Sequence, residues 1–396
     1  MRIALVSREF PPTRQASGIA TYTDKTSRAL AAAGNDVHVF AEAHHAAPDD
    51  EIREGVRIHR MPDPGLKPRE LRFLRRTFDV ARALRRNGPF DVVQACEWEG
   101  EAALYARFAQ APLITRLATP LYVVERLNRT SPGERRRSAV VRALERSQTR
   151  LSAAVMSPSR SLAEVVSRDW KLDPEHIRFV PTGIELPLAG ADGPLPDGLG
   201  ADPYVLYFGR LEVRKGVLTW MDALPRVLAD QPGLDAVFAG DDLKLDGVPF
   251  SDYGRRRGGV HAGRLRFFKR LPQSELFPLI RHARLVVLPS RWESLANAGL
   301  EAMALGRAVV ATRGSGFAEV IEHGVNGWLV PADDAEALAN TVIEALRDPD
   351  RLLAIGSAAF RRAQDFRMDR MLGRLTDLYR DVVASAGRQI SEASVV

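Results

Sequence analysis

The sequence predicts an α/β protein built from two doubly wound, Rossmann-like domains with mainly parallel sheets. Short apolar runs of strand length alternate with segments of helical spacing along the whole chain. A segment rich in Pro, Gly and Asp, residues 186–203, interrupts this alternation near the middle and predicts a linker. The length of 396 residues fits two or three domains of ordinary size.

Residues 1–185 form the first predicted domain. The apolar runs that predict its strands are 2–7, 35–42, 55–60, 91–95, 112–117 and 153–158. The segments between them that predict helices are 17–34, 68–87, 99–110, 134–150 and 159–169. Parallel strands need crossover connections, so this alternation favours helices on both faces of one sheet.

Residues 204–357 repeat the pattern and form the second predicted domain. Its predicted strands are 204–210, 235–240, 264–268, 283–290, 308–312 and 327–331. Its predicted helices are 215–230, 273–282, 297–306, 316–323 and 333–347. Ligands of such sheets bind at the carboxyl ends of the strands, so we expect the ligand site in a cleft between the two domains.

The composition excludes several classes of protein. One cysteine, Cys96, excludes a disulfide framework and a multi-cysteine metal site, and it favours a reducing, cytoplasmic compartment. The first apolar run is too short for a signal peptide, and no apolar run has the length of a membrane span. The net charge of +6 suits a phosphate-bearing ligand, an anionic membrane or a nucleic acid, without choosing among them.

Two carboxylates bracket the predicted start of a helix in the stretch RWESLANAGLEAMALG, residues 291–306. Asn297 is a good N-cap, and the small residues after it would let an anion approach the free N–H groups of the first turn. Glu293 and Glu301 would then accept hydrogen bonds from hydroxyls on either side of a diphosphate. The alternative is that both simply complement the helix dipole, which is worth roughly 0.3–1 kcal/mol without any ligand.

Two cations in one loop favour the ligand interpretation. Arg210 follows Gly209 directly after a predicted strand, and Lys215 precedes the next predicted helix. A diphosphate between them would relieve the repulsion that two neighbouring cations otherwise have, although both side chains could also be solvated surface charges. Gly18 opens the first predicted helix, but the full G-x-G-x-x-G pattern is absent, which disfavours a nicotinamide or flavin cofactor.

These motifs together resemble those of the retaining glycosyltransferase family 4, which has the GT-B fold. Glu293 and Glu301 match its E-x7-E motif, and GRLEVRKGV resembles its donor-phosphate loop. FVPTGIE, SGIATYT and HGVNGWLVPADDAEALAN are similar to three further family segments. The similarity covers nearly the whole chain. It implies that a C-terminal helix, about 358–390, crosses back to the N-terminal domain.

The resemblance implies a role for each matching residue. Arg210 and Lys215 would neutralise the diphosphate of a UDP- or GDP-sugar, Glu301 would hold the ribose, and Glu293 would contact the transferred sugar. The remaining residues implied in donor binding are Gly18, Gly209, Asn297, Ala298, Gly299 and Leu300. No cofactor or metal is expected, because the two cations and the helix terminus supply the positive charge. The leaving phosphate would assist deprotonation of the acceptor hydroxyl.

One position departs from the family pattern. Many relatives have a His in a loop of the form R-L-H-T-P, whereas this sequence has Ala118 in TRLATP. The departure leaves the acceptor geometry and the choice of donor sugar open. The acceptor-side candidates in this half of the chain are Glu97, Trp98, Glu99, Ala118 and Thr119, although the acidic turn could also serve a helix terminus.

Two stretches are basic and amphipathic, 67–88 and 133–150. Each could lie at an anionic membrane surface, giving peripheral contact with the inner face, or could be an ordinary surface helix. Nucleic acid is not an expected partner, because no known binding module is present. Two rival functions remain: an isomerase of the same architecture, such as a nucleotide-sugar 2-epimerase, and a protein that binds a sugar nucleotide without turnover.

Overall fold

The computed structural model describes most of the chain. The described residues are 1–12, 17–45, 47–63, 65–66, 69–128, 130–186, 191–200, 202–245, 247–294 and 297–393. Of the predicted linker, residues 187–190 and 201 lie outside the described residues. The chain divides into two compact units, one formed by Met1–Gly183 with Met368–Val396 and the other by Ile184–Arg367.

Strands and helices alternate in both units. The strands are β1 Arg2–Val6, β2 Asp36–Glu42, β3 Asp50–Arg53, β4 Val56–Met61, β5 Val92–Cys96, β6 Leu113–Arg116, β7 Ala154–Ser157, β8 Ile177–Phe179, β9 Tyr204–Phe208, β10 Asp235–Ala239, β11 Lys244–Leu245, β12 Val248–Pro249, β13 Leu265–Phe268, β14 Leu285–Leu288, β15 Val309–Thr312 and β16 Trp328–Val330. The helices are α1 Gly18–Ala32, α2 Arg69–Asn87, α3 Ala103–Arg107, α4 Leu121–Leu127, α5 Pro132–Arg137, α6 Ala139–Leu151, α7 Arg160–Trp170, α8 Val217–Asp230, α9 Phe250–Gly258, α10 Gln273–His282, α11 Asn297–Ala304, α12 Ala335–Arg347, α13 Pro349–Ala363 and α14 Met368–Ala393.

The first unit contains an eight-stranded sheet with the order β3-β4-β2-β1-β5-β6-β7-β8. Its neighbouring strands pair in parallel except β3, which is antiparallel to β4. Ile3 and Leu5 of β1 pack into a core on one face with residues of α14, while Ala4 and Val6 pack into a second core on the other. Burial of both faces explains why the strands are continuous apolar runs.

The second unit contains a six-stranded parallel sheet with the order β13-β10-β9-β14-β15-β16. Its central strand β9 also alternates between two cores: Leu206 and Phe208 face one, and Val205 and Tyr207 face the other. This is the doubly wound α/β architecture that the sequence predicts, present in both units. Among the described helices, none has the length and apolarity that crossing a membrane requires.

Some predicted elements differ from the structure. The predicted helix 316–323 is only a 3₁₀ turn, Gly316–Glu319, and the predicted helix 134–150 is divided into α5 and α6 at Ser138. Residues 358–390 are not one helix: α13 ends at Ala363, and α14 begins at Met368. The break arises because Phe366 is buried in a core of the second unit and the following backbone is extended.

A buried histidine pair connects β2 to β4. His38 is 3% exposed, and its Nδ1 lies 2.9 Å from Nε2 of His59 with the rings stacked. Asp36 and Arg2 approach the other ring nitrogen of His38 at 3.3 and 3.5 Å. Burial lowers the pKa of His38; Asp36 opposes this effect, whereas the neighbouring His59 and Arg2 reinforce it. The folded protein therefore disfavours the protonated form of His38.

We expect this histidine to make the protein less stable in mild acid. Because the folded pKa of His38 lies below the ordinary value of 6.5, the unfolded chain binds more protons below that pH, and stability falls as the pH decreases. Urea denaturation between neutral pH and mild acid should show a smaller pH dependence for His38→Gln than for the wild type. His45→Gln, at an exposed position, is the control and should keep the wild-type dependence. An unchanged slope in His38→Gln would contradict the assignment.

Candidate active site

Two loops of the second unit meet at the carboxyl ends of neighbouring strands. β9 leads into residues 209–216, and β14 leads into residues 289–294. The two strands pair in parallel, so their carboxyl ends lie at the same edge of the sheet. The Arg291 N–H donates to the Arg214 carbonyl oxygen at 2.9 Å, which joins the two loops through their backbones.

Gly216 sets the distance between the loops. Its backbone is left-handed, with φ of 72°, and a Cβ built on it would lie 1.8 Å from the carbonyl oxygen of Pro289. No side chain fits there, so only glycine permits this approach. The motif therefore needs its glycine for packing of one loop on the other and for the start of α8.

A network of charged side chains fills the contact between the loops. The Lys215 ammonium donates to Oε1 of Glu293, and the Ser290 hydroxyl donates to the same oxygen at 3.0 Å. Nη1 of Arg214 lies 3.9 Å from this oxygen, while its Nη2 donates to Oε1 of Glu212 at 2.8 Å. Among the described residues, Oε2 of Glu293 has no hydrogen-bond partner and is not buried, so it is available to a ligand.

Arg210 lies at the exposed end of this network. Its side chain is 54% exposed, and Nη2 lies 3.1 Å from Oε1 of Glu212. The Tyr207 hydroxyl donates to the Arg210 carbonyl oxygen at 2.8 Å, which fixes the backbone of this residue while its guanidinium is exposed. An exposed guanidinium and a half-buried ammonium in one charged network can together bind a diphosphate.

The central ion pair remains charged despite its burial. Burial lowers the pKa of Lys215, although the attraction of Glu293 opposes this effect. Burial alone would raise the pKa of Glu293, but the positive charges of Lys215 and Arg214 outweigh it and lower the pKa. A buried carboxylate with two cationic neighbours keeps its charge and its capacity to accept hydrogen bonds at neutral pH.

The helix α11 begins close to these loops in the sequence, and its first residue is Asn297. The side-chain oxygen of Asn297 is buried and has no hydrogen-bond partner among the described residues. The prediction that Asn297 is the N-cap is therefore wrong: Asn297 is the first residue of the helix, and its side-chain oxygen accepts no hydrogen bond from the described N–H groups of the first turn. Ala298 and Glu301 are half-buried, whereas Leu300 is a core residue with 0% exposure.

Gly299 has a different role from the one that its small size suggested. A Cβ on Gly299 would lie 2.8 Å from a ring carbon of Phe317, so the absence of a side chain serves close packing inside the unit. The glycine therefore has a packing reason that needs no ligand, and the anion site at the start of this helix stays a prediction. The physical reason is the buried Phe317 ring, whose position sequence spacing does not reveal.

The acceptor-side candidates lie in the first unit, at the carboxyl ends of β5 and β6. Glu97 is 0% exposed, and its two carboxylate oxygens accept from the Ala118 N–H at 2.8 and 2.7 Å. Burial raises the pKa of Glu97 to about 7. The expectation that this carboxylate touches an acceptor is corrected: it fixes the Ala118 loop instead.

Glu99, in the same turn, also has buried partners. Glu99 is buried, has a φ of 63°, and pairs with Arg8 at 2.5 Å. Its N–H donates at 3.1 Å to Glu145, a fully buried carboxylate that also accepts from the Leu121 N–H at 3.0 Å. Glu99 therefore contributes to the structure of the turn rather than to its exposed surface.

Three candidates remain at least partly accessible here: Trp98, Ala118 and Thr119.

Gly18 begins α1 in the same unit, where the Ser17 hydroxyl caps the helix by accepting from the Ala20 N–H at 3.2 Å. Residues 13–16, which precede this cap, lie outside the described residues.

The structure thus joins Arg210, Lys215 and Glu293 in one network in the second unit. The sequence reasoning missed three of its members: Glu212, Arg214 and Ser290. No periodicity marks them, and the only signal was their position within four residues of a predicted site residue. It also missed Glu145, whose helical position looks like an ordinary surface residue until the turn at Glu99 folds against it.

Two family models match the chain. One, described as glycosyl transferases group 1, matches residues 202–348, and the other, described as glycosyltransferase family 4, matches residues 16–187. Each match falls mainly on one of the two units. The first contains the charged network, and the second contains the loops that carry Glu97 and Ala118.

Relatives of known name align over nearly the whole chain. A glycogen synthase from Mycobacterium tuberculosis is 29% identical over 98% of this chain and 94% of its own length. A D-inositol 3-phosphate glycosyltransferase from Thermobispora bispora is 28% identical over 96% of this chain and 93% of its own.

Solved structures share the fold. The sucrose-phosphate synthase from Thermosynechococcus elongatus superposes with a TM-score of 0.79 at 24% identity, over 97% of this chain and 99% of that one. WaaG, a glycosyltransferase of lipopolysaccharide biosynthesis, superposes with a TM-score of 0.74 at 18% identity, over 95% of this chain and 99% of that one. At these identities the similarity shows the fold alone.

The two doubly wound units, the charged network and these matches define the class of protein: a glycosyltransferase of the GT-B fold that uses a nucleotide sugar. The chain belongs to glycosyltransferase family 4 and is an enzyme, as the sequence motifs indicate.

We expect Gly216→Ala to destabilise the protein more than Gly233→Ala. Both glycines are left-handed, with φ of 72° and 79°, so both variants bear the same backbone cost. Only at Gly216 does the added carbon meet another backbone; at Gly233 it has open space. The extra loss should be roughly 1–3 kcal/mol, the cost of forced overpacking, measured by urea denaturation. Equal losses would contradict the role given to Gly216.

Proposed function

We propose that this glycosyltransferase moves a hexose-type sugar from a UDP- or GDP-sugar to a hydroxyl acceptor, with retention of configuration at the anomeric carbon and without a metal. The observation that carries this proposal is the network at the ends of β9 and β14. It combines an exposed guanidinium, a half-buried ammonium and a carboxylate with one free oxygen.

The two cations suit the donor diphosphate. Arg210 and Lys215 are two cations of this edge with exposed surface, with 54% and 23% of their side chains exposed. In the free enzyme Lys215 is neutralised by Glu293, so binding of a diphosphate exchanges one anionic partner for another. Such an exchange avoids leaving a buried ammonium without a partner.

The oxygen acceptors of the network suit the sugar. Oε2 of Glu293 is free to accept from a sugar hydroxyl, and the unpartnered side-chain oxygen of Asn297 is a second acceptor. We assign Glu301 to the ribose hydroxyls, as the E-x7-E motif implies. A carboxylate that accepts from a neutral hydroxyl makes a hydrogen bond about twice as strong as a neutral pair.

Relatives support the choice of donor. HepE from Anabaena, solved in complex with UDP-glucose, has the same fold as this chain with a TM-score of 0.74 at 19% identity, over 96% of this chain and 100% of that one. Glycogen synthase and D-inositol 3-phosphate glycosyltransferase are the names of relatives that align over nearly the whole chain. We infer a nucleoside diphosphate hexose as donor and a polyol or glycan hydroxyl as acceptor.

The transfer step balances without a protein base. The bond from the anomeric carbon to the diphosphate oxygen breaks, and the acceptor oxygen bonds to the same face of that carbon. The acceptor proton moves to the departing phosphate oxygen, and a nucleoside diphosphate is released. Arg210 and Lys215 stabilise the charge that develops on this leaving group, the task that a metal ion performs in other transferases. This route does not need the histidine that Ala118 replaces.

We expect a nucleoside diphosphate to raise the melting temperature of the wild type and to raise that of Arg210→Ala and Lys215→Ala much less. Loss of one charge-assisted hydrogen bond costs about 1.5–3 kcal/mol, which is roughly tenfold or more in affinity. Arg226→Ala, an exposed arginine on α8, is the control and should behave as the wild type.

Activity measurements on the wild type and on site variants test the reaction itself. With a sugar nucleotide that stabilises the protein, transfer should be seen for the wild type and abolished in Lys215→Ala and Glu293→Ala. Proton NMR of the product should show the anomeric configuration of the donor, and a chelator should leave the rate unchanged. Inversion, metal dependence, or normal turnover in both variants would each refute part of the proposal. Binding without turnover would favour a non-catalytic protein.

We also propose that α2 contacts an anionic membrane. Its exposed face carries Leu71, Leu74 and Phe78, which are 46%, 46% and 50% exposed. Their spacing of three and four residues places them in one stripe, and Arg82 and Arg85 continue the same face toward the C-terminal end. Large apolar groups next to arginines are complementary to acyl chains and anionic headgroups.

Vesicle sedimentation tests this contact. The wild type should bind vesicles of phosphatidylcholine with phosphatidylglycerol, and binding should weaken with salt. Leu74→Ser with Phe78→Ser should lose binding, and Arg82→Ser should weaken it roughly fivefold, since each arginine contributes about 1 kcal/mol. Phe108→Ser, which removes an even more exposed phenylalanine outside α2, should bind as the wild type. Equal binding by all variants would show that α2 is an ordinary surface helix.

A further inference from the structure

Arg214 is a buried cation that the transfer described above does not use. Its side chain is 7% exposed, and its backbone carbonyl accepts from the Arg291 N–H at 2.9 Å. Its Nη2 donates to Glu212 at 2.8 Å, and its Nε is buried without a hydrogen-bond partner. A buried guanidinium with an unsatisfied donor is costly to the fold, so its presence next to the site calls for an explanation.

Arg214 and Lys215 approach the same oxygen of Glu293 but differ in exposure. The ammonium of Lys215 is 23% exposed, so it can turn toward a ligand. The guanidinium of Arg214 is held by Glu212 and is too buried to do so. When a donor diphosphate binds Lys215, Arg214 is the cation that stays beside Glu293.

Once Lys215 has turned to the diphosphate, fewer groups stabilise the charge of the Glu293 carboxylate. The groups that face it are Lys215, Arg214 and the Ser290 hydroxyl, with the Tyr207 hydroxyl and the Glu212 carboxylate beyond them. Burial raises the pKa of Glu293, and Lys215 is the larger of the two cationic effects that lower it. A diphosphate that engages Lys215 brings negative charge and weakens this effect.

We propose that Arg214 is a positioning residue for the transfer: it keeps the Glu293 carboxylate charged and in place after Lys215 has turned to the donor diphosphate. This inference rests on the proposed function, because it assigns a task that exists only when a nucleotide sugar is bound. It also gives Glu212 a purpose, since that carboxylate holds the guanidinium from the other side.

Arg214→Met and Arg214→Lys test the proposal. Arg214→Met should lower kcat roughly tenfold or more, which corresponds to about 1.4 kcal/mol, while the donor KM and the affinity for nucleoside diphosphate change by less than about twofold. The acid limb of the kcat profile should move to higher pH, because loss of the positive charge raises the pKa of Glu293. Arg214→Lys retains the charge and should restore part of kcat and the position of the limb.

Two further measurements keep the result interpretable. Arg226→Met, which removes an exposed arginine from α8, is the matched control and should leave kcat and the pH profile unchanged. If Arg214→Met does not fold, Arg214→Gln, which also removes the charge but keeps a hydrogen-bond donor, provides the same comparison. Carbon-13 NMR of the glutamate carboxyls, with Glu293→Gln to assign the signal, measures the pKa of Glu293 directly in the presence of nucleoside diphosphate.

The outcomes are distinct. The role of Arg214 would be overturned if the wild type turns over and Arg214→Met has the same kcat and the same pH dependence of kcat on the acid side. That result would leave the proposed function intact. A parallel loss of nucleoside diphosphate affinity would also overturn the role of Arg214, since it would show that Arg214 binds the donor itself. No turnover by the wild type with any stabilising sugar nucleotide would reject the proposed function, and this inference with it.

Discussion

The ion pair between Lys215 and Glu293 is the interaction on which the site depends. It joins loops from two neighbouring parallel strands, and it pairs a buried carboxylate with a half-buried ammonium at the same edge of the sheet. Neither charge would be tolerated there alone, because burial penalises each. The pair also explains how a diphosphate can be accommodated, since an anion can replace the carboxylate at Lys215 without leaving the ammonium unpaired.

The backbone makes this pairing possible. Gly216 lets one loop pack directly on the carbonyl oxygen of Pro289, and Gly240 permits a similar approach to Gly209 on the neighbouring strand. Charge and packing are therefore coupled: the ionic network forms only because the loops lie closer than side chains would allow. In the first unit the corresponding loops are held differently, by the buried carboxylates of Glu97 and Glu145, which accept backbone N–H groups. Each unit thus fixes the loops at its strand ends by burying ionisable side chains that are hydrogen-bonded.

Much of this protein was predictable from patterns in the chain. The apolar runs located the strands of both sheets that are buried on both faces, because such strands need no alternation to be recognised. β3 was missed, since its one large apolar residue, Ile52, is 68% exposed. The break before Met368 was missed as well, since helical spacing continues through Phe366, and only burial of that ring in the second unit ends the helix.

The sequence by itself determined the doubly wound architecture, the family motifs and the candidate residues Arg210, Lys215 and Glu293, because strand periodicity and motif spacing are local properties. Only the tertiary structure decided which groups these residues meet. It paired Lys215 with Glu293 across 78 positions, placed Arg214 between two carboxylates and turned Glu97 inward. These contacts join residues far apart in the chain, and burial in a packed interior, which no spacing encodes, sets their charge and their partners.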